Sequence, residues 1–137
     1  MTNLAGLPPM GLKAVGIARY SRAEQGYFHW LHTLQCALTG NNIEIQIAHT
    51  GGLREGKGMR LKARVNTCLP INFRLHLEEE KNRAAFWEGV GFDPVPFAER
   101  LFEIYEQGAD PALAYDLLWD TRNKANQAFI AEILTRK

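Results

Sequence analysis

The sequence has only two cysteines, Cys36 and Cys68, among 137 residues. Two are too few for a disulfide scaffold or for a zinc site built from four thiolates. The sequence also lacks any apolar run of about 18 residues, and its N-terminus lacks the basic start, apolar core and cleavage site of a secretory signal. We therefore expect one cytoplasmic domain without membrane association, since 46% hydrophobic residues suffice for a core.

Net charge is also low, at +1, but the charges are unevenly distributed along the chain. Nine of the 16 Lys and Arg residues precede Leu75, together with only three of the 15 Asp and Glu residues. Five of these bases lie in one glycine-rich segment, which we call the basic segment: Arg54, Lys57, Arg60, Lys62 and Arg64. Such a segment either binds a phosphate backbone by counterion release or is a solvated loop, and composition leaves both interpretations open.

Residues 1–20 combine glycine and proline without periodicity, which indicates an irregular arm. Ser21 and Glu24 then form a capping-box pattern, and apolar residues at helical spacing predict a helix from Arg22 to Leu38. The alternation over 43–49 predicts a half-buried strand with His49 on its inward face. His49 is then either a chemical group or an ordinary buried histidine with a backbone partner.

The segment 51–58 is similar to a phosphate-binding loop, but Gly58 stands where a hydroxyl would hold magnesium. No convincing helix follows it, so we exclude nucleotide hydrolysis. The pattern after it predicts a second strand over 61–69, broken by Pro70.

A helix is predicted over 71–81, with Asn72, His76 and Glu80 at four-residue steps and therefore on one stripe. A histidine and a glutamate at this spacing can share a divalent cation, or they can form an exposed ion pair. The remaining chain is predicted to be helical. Helices start at the pairs Asp93-Pro94 and Asp110-Pro111, and a final amphipathic helix runs from about Thr121.

The predicted elements follow the order of a ββα-metal site. A strand that ends in histidine is followed by a basic loop, a second strand, and a helix that carries a histidine and an acid. The stretches that carry this pattern resemble small HNH-type, or His-Me finger, nuclease-like proteins of bacteriophages and prophages: Ala48-His49, 58–62, 70–72 with His76 and Glu80, Phe86-Trp87 and 91–94. The resemblance covers about residues 27–105. It implies an α+β fold in which an N-terminal helix and a C-terminal helical extension flank a two-stranded hairpin and its helix. The expected division is an arm at 1–20, the HNH-like domain at 21–107 and the extension at 108–137.

The resemblance also implies a site. His49 would be the general base that activates water, Asn66 would orient His49 through its carbonyl, and His76 with Glu80 would hold one Mg²⁺ or Mn²⁺. The basic segment would bind double-stranded DNA. The four zinc-cysteine positions of such proteins fall at Cys36, Thr39, Asn72 and Leu75, so only one cysteine is left and no structural zinc is expected.

Two functions follow from the resemblance. The first is a phage or prophage metal-dependent DNA endonuclease or nickase in the cytoplasm of a bacterial host. The second is a catalytically inactive relative that binds DNA or protein, such as an inhibitor of a host nucleic-acid enzyme or defence complex. Its acidic C-terminal half would face the protein partner, and the last helix could alternatively pair with a second copy.

Overall fold

The computed structural model describes residues 21–51 and 65–136. Within these residues the chain has six α-helices and one two-stranded antiparallel sheet, so the expected α+β class is confirmed. The helices are α1 (Arg22–His32), α2 (Phe73–Lys81), α3 (Arg83–Val90), α4 (Val95–Glu106), α5 (Pro111–Lys124) and α6 (Gln127–Leu134). The strands are β1 (Ile45–His49) and β2 (Cys68–Asn72), and a 3₁₀ turn at Val65–Thr67 precedes β2. In the same residues we find no helix with the length and apolar character needed to cross a membrane.

Helix α1 begins where its capping box predicts. The Glu24 amide donates to Ser21 Oγ at 3.1 Å, and the Ser21 amide donates to the Glu24 carboxylate at 2.8 Å. The predicted end at Leu38 was wrong, because α1 stops at His32. Beyond it the backbone turns around Cys36, whose amide donates to the Asn41 carbonyl at 2.6 Å.

The two strands pair with Ile45 opposite Asn72 and His49 opposite Cys68. The predicted second strand over 61–69 was wrong at its C-terminal end, because β2 runs through Pro70 to Asn72. Pro70 is tolerated because its carbonyl points away from β1 and accepts the Ala37 amide at 2.8 Å. In an antiparallel pair the N–H and C=O of one residue point to the same side, so the missing N–H removes no bond between the strands.

Helix α2 follows β2 without a loop. Asn72 is its N-cap, since Oδ1 accepts the Arg74 amide at 2.8 Å, and Nδ2 donates to the Ile43 carbonyl at 3.3 Å. The expectation that Asn72 shares a helical stripe with His76 and Glu80 was therefore wrong. Because α2 packs against both strands, β1, β2 and α2 form one ββα unit.

The C-terminal helices share the core of this unit. Asp110 caps α5 as predicted, accepting the Ala112 amide at 2.9 Å. The prediction of a single final helix from Thr121 was wrong. Helix α5 ends at Lys124, and Asn126 caps a separate helix, α6. Thr121 Oγ1 donates to the Ala37 carbonyl at 2.6 Å, which ties α5 to the turn before β1. One cluster of buried apolar side chains extends from Tyr27 to Ile133.

Candidate functional site

Four of the predicted site residues lie in the described part of the chain. His49 ends β1, Asn66 lies in the 3₁₀ turn, and His76 and Glu80 lie on α2. The basic segment (Arg54, Lys57, Arg60, Lys62 and Arg64) and the arm 1–20 lie outside the described residues. Along the ladder, His49 is four residue steps from the Ile45–Asn72 pair at which α2 begins, about 13 Å. His49 and the start of α2 are thus at opposite ends of the hairpin.

His49 lies between an aromatic ring and a thiol. Its ring is edge-on to Phe28, with centroids 5.9 Å apart, and Nδ1 lies 3.3 Å from Cys68 Sγ. The closeness follows from the register, because His49 and Cys68 are directly opposite in a pair without backbone hydrogen bonds, where side chains approach most closely. A thiol is both a weak donor and a weak acceptor, so Cys68 can orient the imidazole in either tautomer.

The thiol of Cys68 is itself enclosed, since Cys68 is fully buried. Burial, reinforced by the nearby Cys68 and Tyr105, raises the pKa of the Tyr27 phenol well above its ordinary value.

The expected orienting residue, Asn66, has a buried side-chain oxygen without a hydrogen-bond partner within the described residues. Cys68 therefore occupies a place beside His49 that the resemblance did not assign to it.

The prediction that His49 points inward is met only in part, because its side chain is partly exposed. Ala48, on the opposite face of β1, is fully buried, as is nearly all of Ile45, whereas His49 is intermediate in exposure. Since residues of both parities are buried, β1 is covered on both faces. Strict alternation predicts burial poorly in such a strand.

His76 and Glu80 lie together on α2, as their spacing predicts. His76 Nε2 is 3.4 Å from Glu80 Oε2, and the two side chains are 15% and 56% exposed. Two donors bound to one ion at about 2.1 Å, with an angle of about 90–110°, are about 3.0–3.4 Å apart. The pair therefore has the spacing of two ligands of a divalent cation, and also that of an ion pair with a protonated histidine. Among residues 21–51 and 65–136, no group of three or more His, Cys, Asp or Glu side chains is placed to hold an ion.

Glu79, which lies between His76 and Glu80 on α2, is the residue that sequence reasoning missed. It is fully buried, and its Oε2 accepts from Arg83 Nε at 2.6 Å and from Trp87 Nε1 at 3.2 Å. The other oxygen, Oε1, lies 3.5 Å from His76 Nδ1. We call Glu79, His76, Arg83 and Trp87 the Glu79 cluster. Burial alone would raise the pKa of Glu79, but the His76, Arg83 and Trp87 donors together hold this pKa below its ordinary value.

The acidic run 78–80 is typical of a solvated helix surface, so the run alone does not indicate that Glu79 is buried. A signal was nevertheless present, because Glu79 follows the apolar Leu75 by four residues on α2. Residues four apart on a helix share a face, and Leu75 is fully buried. Arg83 follows Glu79 by four further residues and supplies the cation that a buried carboxylate needs.

A second polar cluster surrounds Cys36. Its sulfur accepts the amides of Leu38, Thr39 and Asn72, each at 3.3 Å. The structure thus brings together three of the four positions to which the resemblance assigns zinc cysteines, and the fourth, Leu75, is buried one turn into α2. With one thiol among four positions, this cluster does not fit a zinc ion.

No protein-family model, curated protein or solved structure matches this chain.

Proposed function

We propose that this chain is an HNH-like, metal-dependent DNA endonuclease or nickase of a phage or prophage, acting in the bacterial cytoplasm. The observation that carries the proposal is the His76–Glu80 pair, whose 3.4 Å spacing suits two ligands of one cation on the helix of a ββα unit. A hairpin that ends β1 in histidine and leads directly into this helix supports the same function.

The protein residues have separate roles in this proposal. His49 accepts the proton of the attacking water, and the Cys68 thiol orients its ring through Nδ1. His76 and Glu80 would hold one Mg²⁺ or Mn²⁺, which would supply charge stabilisation for the phosphate and the leaving oxygen. Mg²⁺ commonly keeps water and substrate oxygens as its other ligands, so two protein ligands are compatible with this role. The basic segment binds the backbone of double-stranded DNA.

The environment of Cys36 supports the relationship that the motifs indicate. Residues 36 and 39 are far in sequence from residue 72, yet one sulfur accepts the amides of both Thr39 and Asn72. This proximity is what two halves of a lost zinc site would retain. The triple variant Thr39→Cys/Asn72→Cys/Leu75→Cys should bind Co²⁺ with thiolate charge-transfer absorption. The parent chain is the control, and absence of a Co²⁺ spectrum in a folded variant would contradict the relationship.

Cleavage of supercoiled plasmid with Mg²⁺ or Mn²⁺ tests the activity. We expect nicking by the parent chain, loss of nicking in His49→Ala, and retention in His29→Ala, which changes an exposed histidine on α1. Circular dichroism should show all three chains folded. A folded His49→Ala variant that nicks at the parent rate would exclude His49 as the base.

The second candidate function is a catalytically inactive module that binds DNA or protein, such as an inhibitor of a host nucleic-acid enzyme or defence complex. The exposed rings of Tyr115 and Trp119 favour it, since they stack with centroids 6.0 Å apart beside Asp116 and Asp120 on α5. Exposed aromatic residues are common anchors of protein interfaces, including those of homodimers. An uncut plasmid together with a DNA gel shift or a captured protein would favour this function.

A further inference from the structure

The Glu79 carboxylate on α2 is buried and is held by hydrogen bonds from two side chains. It has no exposure to solvent, and two donors, Arg83 Nε and Trp87 Nε1, converge on Oε2. A carboxylate fixed by two hydrogen bonds in a buried site cannot turn away without leaving those donors unpaired. Its second oxygen, Oε1, is therefore a fixed acceptor that faces His76.

The atom that Oε1 faces is His76 Nδ1, at 3.5 Å. Both atoms are buried, and neither has a hydrogen-bond partner within the described residues. If Nδ1 carried a lone pair, two acceptors would face each other away from water, which is unfavourable. A proton on Nδ1 removes this repulsion, because it places a donor opposite the Glu79 acceptor at 3.5 Å.

The opposite side of the imidazole is different. Nε2 faces Glu80 Oε2 at 3.4 Å, and the Glu80 side chain is 56% exposed, so it can move and exchange with water. When Nδ1 holds the proton of the neutral ring, Nε2 presents a lone pair toward this mobile carboxylate. A divalent cation between the two groups turns that repulsion into coordination.

We propose that Glu79 is a positioning residue that fixes His76 in the tautomer protonated at Nδ1, leaving the Nε2 lone pair to bind a divalent cation together with Glu80. The purpose of this arrangement rests on the proposed function, but the tautomer follows from the contacts of Glu79. Carboxylates that accept the second N–H of a metal-binding histidine orient the ring and strengthen its basicity.

The first test is the tautomer of His76, read from long-range ¹H–¹⁵N NMR correlations of the metal-free protein. The spectra are recorded at about pH 8.5, where model imidazoles are neutral. We expect the proton at Nδ1 in the parent chain and in Glu78→Gln, a matched control in the same acidic run. A proton at Nε2 in the parent chain would overturn the proposal. This test uses the parent chain alone, so it does not depend on whether any variant folds.

Glu79→Gln should reverse the tautomer. Arg83 and Trp87 require an oxygen acceptor, so the amide nitrogen of glutamine must face His76 and donate to Nδ1. The ring proton then moves to Nε2, which loses its lone pair for a cation. We expect Mn²⁺ affinity, measured by electron paramagnetic resonance, to fall about 10- to 100-fold in Glu79→Gln and to stay unchanged in Glu78→Gln.

Glu80→Gln separates a ligand from a positioning residue. It should weaken Mn²⁺ binding while leaving the His76 proton at Nδ1. Uncut plasmid combined with an Nδ1 proton and Mn²⁺ binding would refute the nuclease and retain this inference. Plasmid cleavage combined with an Nε2 proton on His76 would do the reverse.

Discussion

The ion pair between the buried Glu79 and the partly exposed Arg83 permits a quantitative test of the Glu79 cluster. Arg83→Met keeps most of the apolar stem of the side chain and removes the guanidinium that donates to Glu79 at 2.6 Å. The carboxylate would then remain fully buried with Trp87 and His76 as its partners.

The expected cost follows from the exposure of the two partners. Removing one member of a fully buried ion pair costs about 3–5 kcal/mol, because the other charge stays buried without compensation. The Arg83 side chain is 31% exposed, so water can replace part of what is lost, and we expect about 2 kcal/mol. The double variant Glu79→Met/Arg83→Met should be no less stable than Arg83→Met alone, since apolar replacements of a buried pair are often neutral.

Urea denaturation followed by tryptophan fluorescence measures all four chains of this double-mutant cycle. Lys81→Met is a matched control, because Lys81 pairs with Glu78 at the surface of the same helix and should leave the denaturation midpoint unchanged. Single-variant costs that add in the double variant would refute the pairing.

Two further predictions concern acid stability and packing. The pKa of Glu79 lies below its ordinary 4.5 in the folded chain, so its stabilisation is present above that value and lost as pH falls through the folded pKa. Urea titrations from about pH 6 to about pH 3 should show a steeper loss for the parent chain than for Glu79→Met, and equal losses would contradict this. Gly89→Ala should destabilise by about 1–2 kcal/mol because the added methyl meets the Phe129 ring, and Phe129→Leu should relieve it. Gly91→Ala, at φ +101° with open space around it, should cost about 1 kcal/mol of backbone strain that Phe129→Leu leaves unchanged.

Features set by neighbouring residues could be predicted from the sequence. The capping box of Ser21 fixes the start of α1, and Asp110 fixes the start of α5. The His76–Glu80 contact is likewise a property of any helix with that spacing.

Features set by tertiary contacts could not be predicted. The end of α1 depends on how the chain turns around Cys36, and the extent of β2 depends on which way Pro70 faces. The contact of His49 with Cys68 requires the strand register, and the burial of Glu79 requires Arg83 and Trp87 to be placed beside it. Hydrophobic periodicity predicts which residues face the core, but it does not predict which side chains they contact there.

The outer side of β2 determines how this sheet can associate with other chains. Pro70 has no N–H there, its carbonyl is bonded to Ala37, and the Asn72 amide is bonded to Cys36 Sγ. Another strand cannot add at these positions without breaking native bonds, which protects that side against edge-to-edge aggregation. Within residues 21–51 and 65–136 the sheet has two strands, so a peptide that extends it there would have to approach along β1, the strand that ends at His49.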